Sequence, residues 1–276
     1  MSLPHLDIPA LLHQHGLRPD KGLGQNFLLD ESALQHVVEI AQVTAQDTVL
    51  EIGAGLGSLT RFLAQAAGSV IAVELDARLL PPLQQVLTPF PNVQIIQGDI
   101  LALNLARLVP AGGYLVVANI PYYITSVLIR HLLESAHPPT RLVLTLQKEV
   151  AQRICAAPGD LSLLALSVQV YGQPHLAAHI PADAFYPPPK VDSAILRVDL
   201  YPTPVIPPHL LDTFFRLTKA GFSQKRKTLR NALAGGLGWS TSKAGDLLQA
   251  VQIDPFRRAE TLSLAEWFNL TQAYSA

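Results

Sequence analysis

The sequence predicts an α/β protein: a Rossmann-like sheet with helices on both faces, followed by a small C-terminal domain that is all helical. Apolar runs typical of buried strands alternate with helix-like segments through the first two thirds of the chain. A proline-rich segment then precedes a helix-like remainder. With 276 residues, 49% hydrophobic content and 15% charged content, the chain has enough apolar residues to bury a substantial core.

Five apolar runs give the predicted strands of the sheet, at residues 48–55, 69–75, 93–99, 114–119 and 141–147. Helix-like segments follow them at residues 58–67, 77–87, 124–135 and 148–156. Repeated β–α units of this kind favour parallel strands covered by helices. Before the first strand, residues 24–42 predict a loop and then an amphipathic helix with Asp30 as its N-cap. Later extended, antiparallel segments are predicted at residues 168–174, 175–180 and 193–200.

The predicted domains are a catalytic domain at residues 1–200, with residues 1–47 as a helical lead-in, and a helical domain at residues 210–276. Residues 201–209 contain four prolines and predict a stiff linker. The charges are unevenly distributed along the chain. Residues 1–212 have 11 basic and 17 acidic residues, whereas residues 213–276 have 9 basic and 4 acidic residues. A basic C-terminal part indicates a polyanionic partner.

Several classes of protein are disfavoured by the composition. The single cysteine, Cys155, allows no intramolecular disulfide and no cysteine-rich metal site, and no metal is expected. No apolar stretch approaches the roughly 18 residues that a membrane span needs. The N-terminus lacks the pattern of a signal peptide. We therefore expect a cytoplasmic protein without a membrane partner.

The motif EIGAGLG, residues 51–57, closes the first predicted strand with a glycine-rich turn. Gly53 and Gly55 let the backbone turn tightly and approach a ligand. A dinucleotide-binding turn needs its third glycine where Ser58 stands, and the carboxylate of Glu51 would repel a pyrophosphate. The turn therefore favours a cofactor that contains adenosine but no phosphate. A simple tight turn between a strand and a helix is the alternative.

Two carboxylates follow at the ends of the next two predicted strands. Glu74 lies 21 residues after Gly53, where a carboxylate accepts hydrogen bonds from ribose hydroxyls. Asp99 ends the third strand, where it can accept a hydrogen bond from the adenine amino group. Because the carboxyl ends of parallel strands form one crevice, these groups predict a nucleoside site. The predicted site also includes Gly55, Leu75 and Ile100.

The fourth predicted strand ends in the motif NIPYYITS, residues 119–126. The amino group of adenine is a poor nucleophile with two protons, and two acceptors that hold those protons would favour its reaction. The side-chain oxygen of Asn119 and the carbonyl of Ile120 are the candidates, Pro121 fixes the chain, and Tyr122 offers a ring for stacking. The alternative is a strand-terminating turn. Tyr123 has no assigned role, and we expect it to pack.

Four motifs together resemble the rRNA adenine N6-dimethyltransferases: GLGQNFL at 22–28, EIGAGLG, NIPY, and FYPPPKVDSA at 185–194. The resemblance extends from Lys21 to about Arg230 and is strongest to members that act on small-subunit rRNA. It implies a class I methyltransferase fold, with S-adenosylmethionine as donor and S-adenosylhomocysteine as product. It also implies N6,N6-dimethylation of two adjacent adenosines in the 3′-terminal hairpin of 16S rRNA during small-subunit biogenesis. The implied partner is the small subunit or its precursor.

The resemblance also implies roles for individual residues. By matching motif positions, Gln25, Asn26 and Leu28 would contact the donor, together with Gly53, Glu74, Asp99 and Asn119. The family often has histidine where Asn26 stands, and both side chains can form hydrogen bonds. Phe185 matches the aromatic residue that sandwiches the target base opposite Tyr122. Without the resemblance, Phe185 would be interpreted as a core residue.

A basic stretch at residues 214–233 is the predicted RNA-binding segment. Basic residues there would contact phosphates and give an affinity that depends on salt. A solvated basic helix face is the alternative interpretation. The predicted RNA-binding residues are Arg216, Lys219, Lys225, Arg226, Lys227 and Arg230.

Two other functions stay open from the sequence. A large-subunit (23S) rRNA methyltransferase of the macrolide-resistance type shares the glycine turn and the NIPY-type motif, although the longer C-terminal region and PPPKVDS favour the small-subunit activity. A non-catalytic rRNA-binding assembly factor would not need Glu74, Asp99 and NIPY. The protein is expected to act as a monomer.

Overall fold

The computed structural model describes residues 3–111 and 113–275. Its strands are β1 (Phe27–Leu28), β2 (Thr48–Ile52), β3 (Ser69–Glu74), β4 (Val93–Gln97), β5 (Leu115–Asn119), β6 (Arg141–Gln147), β7 (Gly172–Ile180), β8 (Phe185–Tyr186) and β9 (Ser193–Leu200). Its α-helices are α1 (Ile8–Gln14), α2 (Glu31–Ala41), α3 (Ser58–Ala66), α4 (Leu80–Leu87), α5 (Leu105–Leu108), α6 (Thr125–Leu133), α7 (Lys148–Ile154), α8 (Leu163–Gln169), α9 (Leu211–Phe222), α10 (Leu229–Leu237), α11 (Thr241–Ala250) and α12 (Leu264–Ser275).

The main sheet has the strand order β4-β3-β2-β5-β6-β9-β7 within the described residues. The strands from β4 to β6 are parallel, and β9 runs antiparallel to β6. This mostly parallel sheet with flanking helices confirms the predicted fold class. The chain moves outward from β2 to β3 and β4, and then returns to β5 on the other side of β2. Such a change of direction opens a crevice at the carboxyl ends of the central strands.

The central strands β2, β3, β5 and β6 are buried because they are mostly apolar on both faces, whereas the edge strands β4 and β7 are partly exposed. Val49 and Leu50 in β2 have no exposed surface, as expected for a central strand covered on both sides. Val37 of α2 and Leu63 of α3 belong to the same core cluster as Val49. The carboxylate of Asp30 accepts a hydrogen bond from a backbone N–H in the first turn of α2, which confirms the predicted N-cap.

The predicted extended segment at residues 168–174 is wrong at its beginning, because α8 continues to Gln169. Ser162 caps the N-terminus of α8 by accepting a backbone hydrogen bond. At the other end, the side-chain amide of Gln169 donates to the carbonyl of Ile154, at 2.9 Å. These hydrogen bonds favour a helix that the β-branched residues of the segment do not predict, and β7 begins only at Gly172.

The chain divides into two compact units. The first contains Met1–Ala151 and His175–Leu200, and the second contains Gln152–Pro174 and Tyr201–Ala276. The sequence assigned residues 152–174 to the first predicted domain, whereas here they belong to the helical unit. None of the helices in the described residues is both long and apolar enough to span a membrane.

The helical unit has a core of its own. Trp267 of α12 and Phe214 of α9 have no exposed surface, and the rings of Phe222 and Trp267 stack with their centroids 6.0 Å apart. Helices α9 and α10 pack so closely that a Cβ on Gly236 would lie 2.7 Å from the Cα of Ala220. This packing explains why a predicted helix contains glycine at that position.

Candidate active site

A cavity of about 260 Å³ opens at the carboxyl ends of the parallel strands in the first unit. It brings together residues that are distant in the sequence but that the motifs had assigned to one nucleoside and adenine site. Those predicted residues are Gln25, Asn26, Leu28, Gly53, Gly55, Glu74, Leu75, Asp99, Ile100, Asn119, Ile120, Pro121 and Tyr122. The lining does not include Phe185.

The glycine turn after β2 forms one wall of the cavity. Gly53 and Gly55 have φ angles of 75° and 61°, which favour glycine. A Cβ on Gly55 would also lie 3.1 Å from the ring of Phe27. The turn is held to β3 because the N–H of Gly53 donates to the carbonyl of Val73 at 2.8 Å. Glycine is therefore favoured here both because the backbone is left-handed and because this wall leaves little space for a side chain.

Glu74 at the end of β3 is 6% exposed and faces the glycine turn. Its Oε2 accepts from the N–H of Gly55, and its Oε1 accepts from the N–H of Asp76, both at 2.7 Å. Burial raises the pKa of Glu74, and these two hydrogen bonds act in the opposite direction. Each carboxylate oxygen has a further lone pair, so the group can accept additional hydrogen bonds from a ligand.

Glu51 in β2 is a cavity residue that the sequence reasoning missed as a site residue. It is 2% exposed, and its Oε2 has no hydrogen-bond partner in the described residues. Burial raises its pKa to about 8, and the charge of Glu74 contributes in the same direction. The available signal was a single carboxylate in the apolar strand TVLEI, directly before the glycine turn. An unpartnered buried oxygen in a cavity indicates a polar ligand.

A hydrogen-bond network holds the N-terminal loop against the end of β3. The side chain of Gln25 accepts from the N–H of Asp20 at 2.8 Å and donates to the carboxylate of Asp76 at 2.9 Å. Arg78 donates to both oxygens of Asp76 and to Asp20. Hydrogen bonds from Arg78 hold the pKa of Asp76 below its usual range. Both ends of the Gln25 amide are therefore engaged in positioning the loop that lines the cavity.

Asn119, the last residue of β5, faces the same loop. Its Nδ2 donates to the backbone carbonyl of Asn26 at 3.0 Å. This hydrogen bond orients the amide so that Oδ1 is the free acceptor, and no described residue donates to it. The Asn26 side chain donates in turn to the carbonyl of Gly24 at 3.2 Å. The loop thereby sets the orientation of the strand-end amide.

The backbone turns sharply after Asn119. The N–H of Ile120 donates to the carbonyl of Thr145 at 3.3 Å, and a short 3-10 helix begins at Tyr122. The hydroxyl of Tyr122 shares a hydrogen bond of 2.7 Å with Ser193, a fully buried residue that the sequence reasoning did not single out. Burial raises the pKa of Tyr122. The contact with Ser193 anchors the phenol and leaves the ring in the cavity wall.

Asp99 and two apolar residues line the side of the cavity nearest β4. Asp99 is exposed, and its Oδ1 accepts from the N–H of Leu101 at 2.9 Å. Ile100 is 4% exposed, whereas Leu75 is 46% exposed. This part of the lining therefore combines one carboxylate with two aliphatic side chains.

Phe185 is placed in the core of the first unit. It is 3% exposed, lies opposite Leu28 in the two-stranded β1–β8 sheet, and belongs to the same core cluster as Leu28. This position agrees with the interpretation as a core residue. The stacking role that the resemblance implies for Phe185 stays a prediction.

The predicted RNA-binding residues lie in the helical unit. Arg216 and Lys219 are exposed on α9. Lys225, Arg226 and Lys227 are exposed in the turn between α9 and α10, and Arg230 is half-buried in the first turn of α10. The stretch is thus a helix, a turn and a second helix rather than one continuous basic helix face.

Within residues 3–111 and 113–275, no three histidine, cysteine, aspartate or glutamate side chains lie close enough together to hold a metal ion.

The chain matches a known protein family and its members over most of its length. The family model described as ribosomal RNA adenine dimethylase matches residues 17–272. The ribosomal RNA small subunit methyltransferase A of Dehalococcoides mccartyi (strain CBDB1) is 45% identical over 269 residues, which cover 96% of this chain and 91% of the relative. The protein of the same name from Streptococcus pneumoniae serotype 2 is 41% identical over 274 residues, with coverage of 96% and 94%.

Two solved structures share the fold over most of the chain. A dimethyladenosine transferase from Plasmodium falciparum is 25% identical, with a TM-score of 0.77, and the match covers 90% of this chain and 97% of that structure. The 23S rRNA methyltransferase ErmE is also 25% identical, with a TM-score of 0.72 and coverage of 91% and 100%.

Proposed function

Because the chain belongs to the ribosomal RNA adenine dimethylase family, we propose that it dimethylates two adjacent adenosines at N6 in the 3′-terminal hairpin of 16S rRNA. The relatives that are about 40–45% identical are named as small-subunit enzymes, which supports this substrate class. Small-subunit biogenesis is the proposed setting. Action as a cytoplasmic monomer is part of the same proposal.

The proposed methyl donor is S-adenosylmethionine, and the cavity has groups that fit it. Glu74 is oriented for the ribose hydroxyls, and Asp99 lies with Leu75 and Ile100 where an adenine would fit. The unpartnered Oε2 of Glu51 supports a ligand with polar groups in the same cavity. When bound, the donor supplies an electrophilic methyl group on a positively charged sulfur.

The side chains at the end of β5 would orient the adenine amino group. The observation that carries the proposal is the Asn119 amide, which donates to Asn26 and so presents Oδ1 as an acceptor. With the Ile120 carbonyl as a second acceptor, both N–H groups of the amine are held, and its nitrogen is drawn towards tetrahedral geometry. After the first transfer the positively charged nitrogen releases one proton to water, and a single N–H is left to hold. Catalysis would then depend on orientation and electrostatics rather than on a strong base.

The ring of Tyr122 would stack on the extruded base. Its hydroxyl is tied to Ser193, so the ring is positioned before the substrate arrives. Phe185 is the proposed second ring of the sandwich, and this part requires its buried ring to reach the base. The basic residues of the helical unit would contact phosphates of the rRNA.

The substrate is tested by incubating the protein with labelled S-adenosylmethionine and undermethylated small or large ribosomal subunits. Mapping of the label by mass spectrometry should find dimethylated adenosine pairs in 16S rRNA and none in 23S rRNA. Label in 23S rRNA would favour a large-subunit rRNA methyltransferase. The structural similarity to the 23S rRNA methyltransferase ErmE is the reason to test this alternative. Binding of small subunits without any transfer would favour an assembly factor.

A further inference from the structure

Two segments that are distant in the sequence are joined at the start of α10 in the helical unit. The N–H groups of Leu229 and Arg230 donate to the carbonyls of Arg257 and Pro255, at 2.7 and 3.3 Å. The first N–H groups of a helix have no partner within it, so these bonds satisfy donors that would otherwise need water. They fix the turn at residues 254–258 beside the first turn of α10.

Phe256 projects from this turn into solvent. It is 67% exposed, the largest exposed fraction among the exposed large hydrophobic residues that the structure describes. The guanidinium carbon of Arg230 lies 5.1 Å from the centre of the Phe256 ring. The N–H of Phe256 donates to the carboxylate of Asp254 at 2.9 Å, which restricts the turn that carries the ring. Packing within the fold therefore does not explain a large apolar ring at this position.

Arg230 beneath the ring carries a charge that no described carboxylate neutralises through an ion pair. Its Nε is buried and has no hydrogen-bond partner in the described residues. Stacking of a guanidinium against an aromatic face is a favourable contact in itself. It also places a positive charge directly beneath the only large ring of this turn.

The surroundings have a net positive charge. Lys225, Arg226 and Lys227 are exposed in the turn that leads into α10. Asp254 is the acidic residue of the turn, Glu260 lies 3.8 Å from Arg258, and Glu266 forms an ion pair with Arg257. An excess of basic groups around an exposed ring is complementary to a nucleic acid, in which flat bases alternate with negative phosphates.

We propose that Phe256, supported by Arg230, is a stacking site for an unpaired nucleobase of the substrate rRNA. The exposed basic turn at residues 225–227 would hold the phosphates beside that base. This proposal rests on the proposed function, because it assigns a second contact to the same rRNA. Stacking on an aromatic ring does not depend on which base is present, so the site adds affinity without selecting the methylated sequence.

The test measures the affinity of the full-length protein for undermethylated small subunits. Wild-type protein is compared with Phe256→Ala, Phe256→Leu, Phe256→Tyr and Tyr201→Ala, the last as a control at another exposed aromatic residue of the unit. Stacking predicts a loss of affinity of about tenfold for the alanine and leucine variants, and near wild-type affinity for tyrosine. The slope of log affinity against log salt should stay unchanged, because no phosphate contact is lost.

The outcomes separate this proposal from the proposed function. If wild-type protein neither binds nor methylates small subunits, both are overturned. If wild-type protein methylates them and Phe256→Ala binds equally well, only the stacking site is overturned. Leucine in place of Phe256 with full affinity would also overturn it, because leucine offers an apolar contact without a ring. A photoreactive phenylalanine analogue at position 256 should cross-link to rRNA, and cross-links only to ribosomal protein would contradict the proposal.

Discussion

Arg78 donates hydrogen bonds to both carboxylate oxygens of Asp76, from Nε to Oδ1 and from Nη2 to Oδ2, each at 2.8 Å. The same Nη2 donates to Asp20 at 2.9 Å, and Asp76 accepts from Gln25. One arginine thus links the segment after β3 to the loop that lines the cavity. The hydrogen bond from Arg78 also holds the pKa of Asp20, a partly exposed carboxylate, below its usual range.

We expect Arg78→Met to weaken donor binding, because the loop that contains Gln25 loses its link to Asp76. Since Arg78 is half-exposed, the dissociation constant for S-adenosylhomocysteine should rise by only about threefold to tenfold in calorimetry. Arg107→Met, at an exposed arginine on α5, is the matched control. Equal affinities for the two variants would remove Arg78 from this positioning role.

Glu51 predicts a pH dependence of stability. Its pKa is about 8 in the folded protein against 4.5 as the ordinary value, so the folded state binds a proton that the unfolded state releases between these pH values. Stability contributed by this group is therefore highest below pH 4.5 and falls as the pH rises towards 8. The slope is at most about 1.4 kcal/mol per pH unit.

The Glu51→Gln variant replaces the carboxyl group with an amide of the same shape that does not titrate. Urea unfolding at pH 6 and pH 8 should give a smaller loss of the free energy of unfolding for the variant than for wild-type protein. Identical losses would show that Glu51 stays ionised in the folded state.

Because α9 and α10 pack closely, the adjacent glycines Gly235 and Gly236 should differ in how well they tolerate substitution by alanine. We expect Gly236→Ala to destabilise the protein by about 1–3 kcal/mol, because the new Cβ would meet backbone atoms of Ala220 that cannot move aside. Gly235→Ala is the control, since its Cβ would meet only the end of the flexible Gln224 side chain. That variant should be within about 1 kcal/mol of wild-type stability in urea unfolding.

Reversal of the positive charges in the turn at residues 225–227 tests the proposed contacts with rRNA phosphates. Replacement of Lys225, Arg226 and Lys227 by glutamate should weaken binding to small subunits and flatten its dependence on salt. Filter binding at several salt concentrations measures both quantities, with Arg107→Glu as a control in the first unit. An unchanged salt slope would mean that the turn is only solvated.

Much of the site follows from the sequence because a parallel sheet gathers the ends of its strands at one edge. Glu74, Asp99 and Asn119 end consecutive apolar runs, so their meeting at one cavity was predictable. Contacts within a local motif were predictable as well, such as the cap that Asp30 forms on α2.

The sequence does not predict which residue forms a hydrogen bond with each of these side chains. Asn119 and Asn26 are 93 residues apart, and no local pattern pairs them. No sequence motif around Arg78 predicts its ion pair with Asp20. The pairing of β1 with β8 places Phe185 opposite Leu28, and no local pattern in the sequence sets this register. Similarly, tertiary hydrogen bonds of Gln169 override the β-branched composition around α8.

The central claim is that Asn119, oriented by the Asn26 carbonyl, holds the adenine amino group for transfer. Its most direct test is the single-turnover rate of methyl transfer by Asn119→Ala, with donor and undermethylated small subunits both saturating. We expect a rate at least about 100-fold below that of the wild-type protein. Affinity for small subunits should stay within about twofold, because the phosphate contacts are proposed to come mainly from basic residues of the helical unit. A transfer rate within about twofold of wild type would contradict the claim.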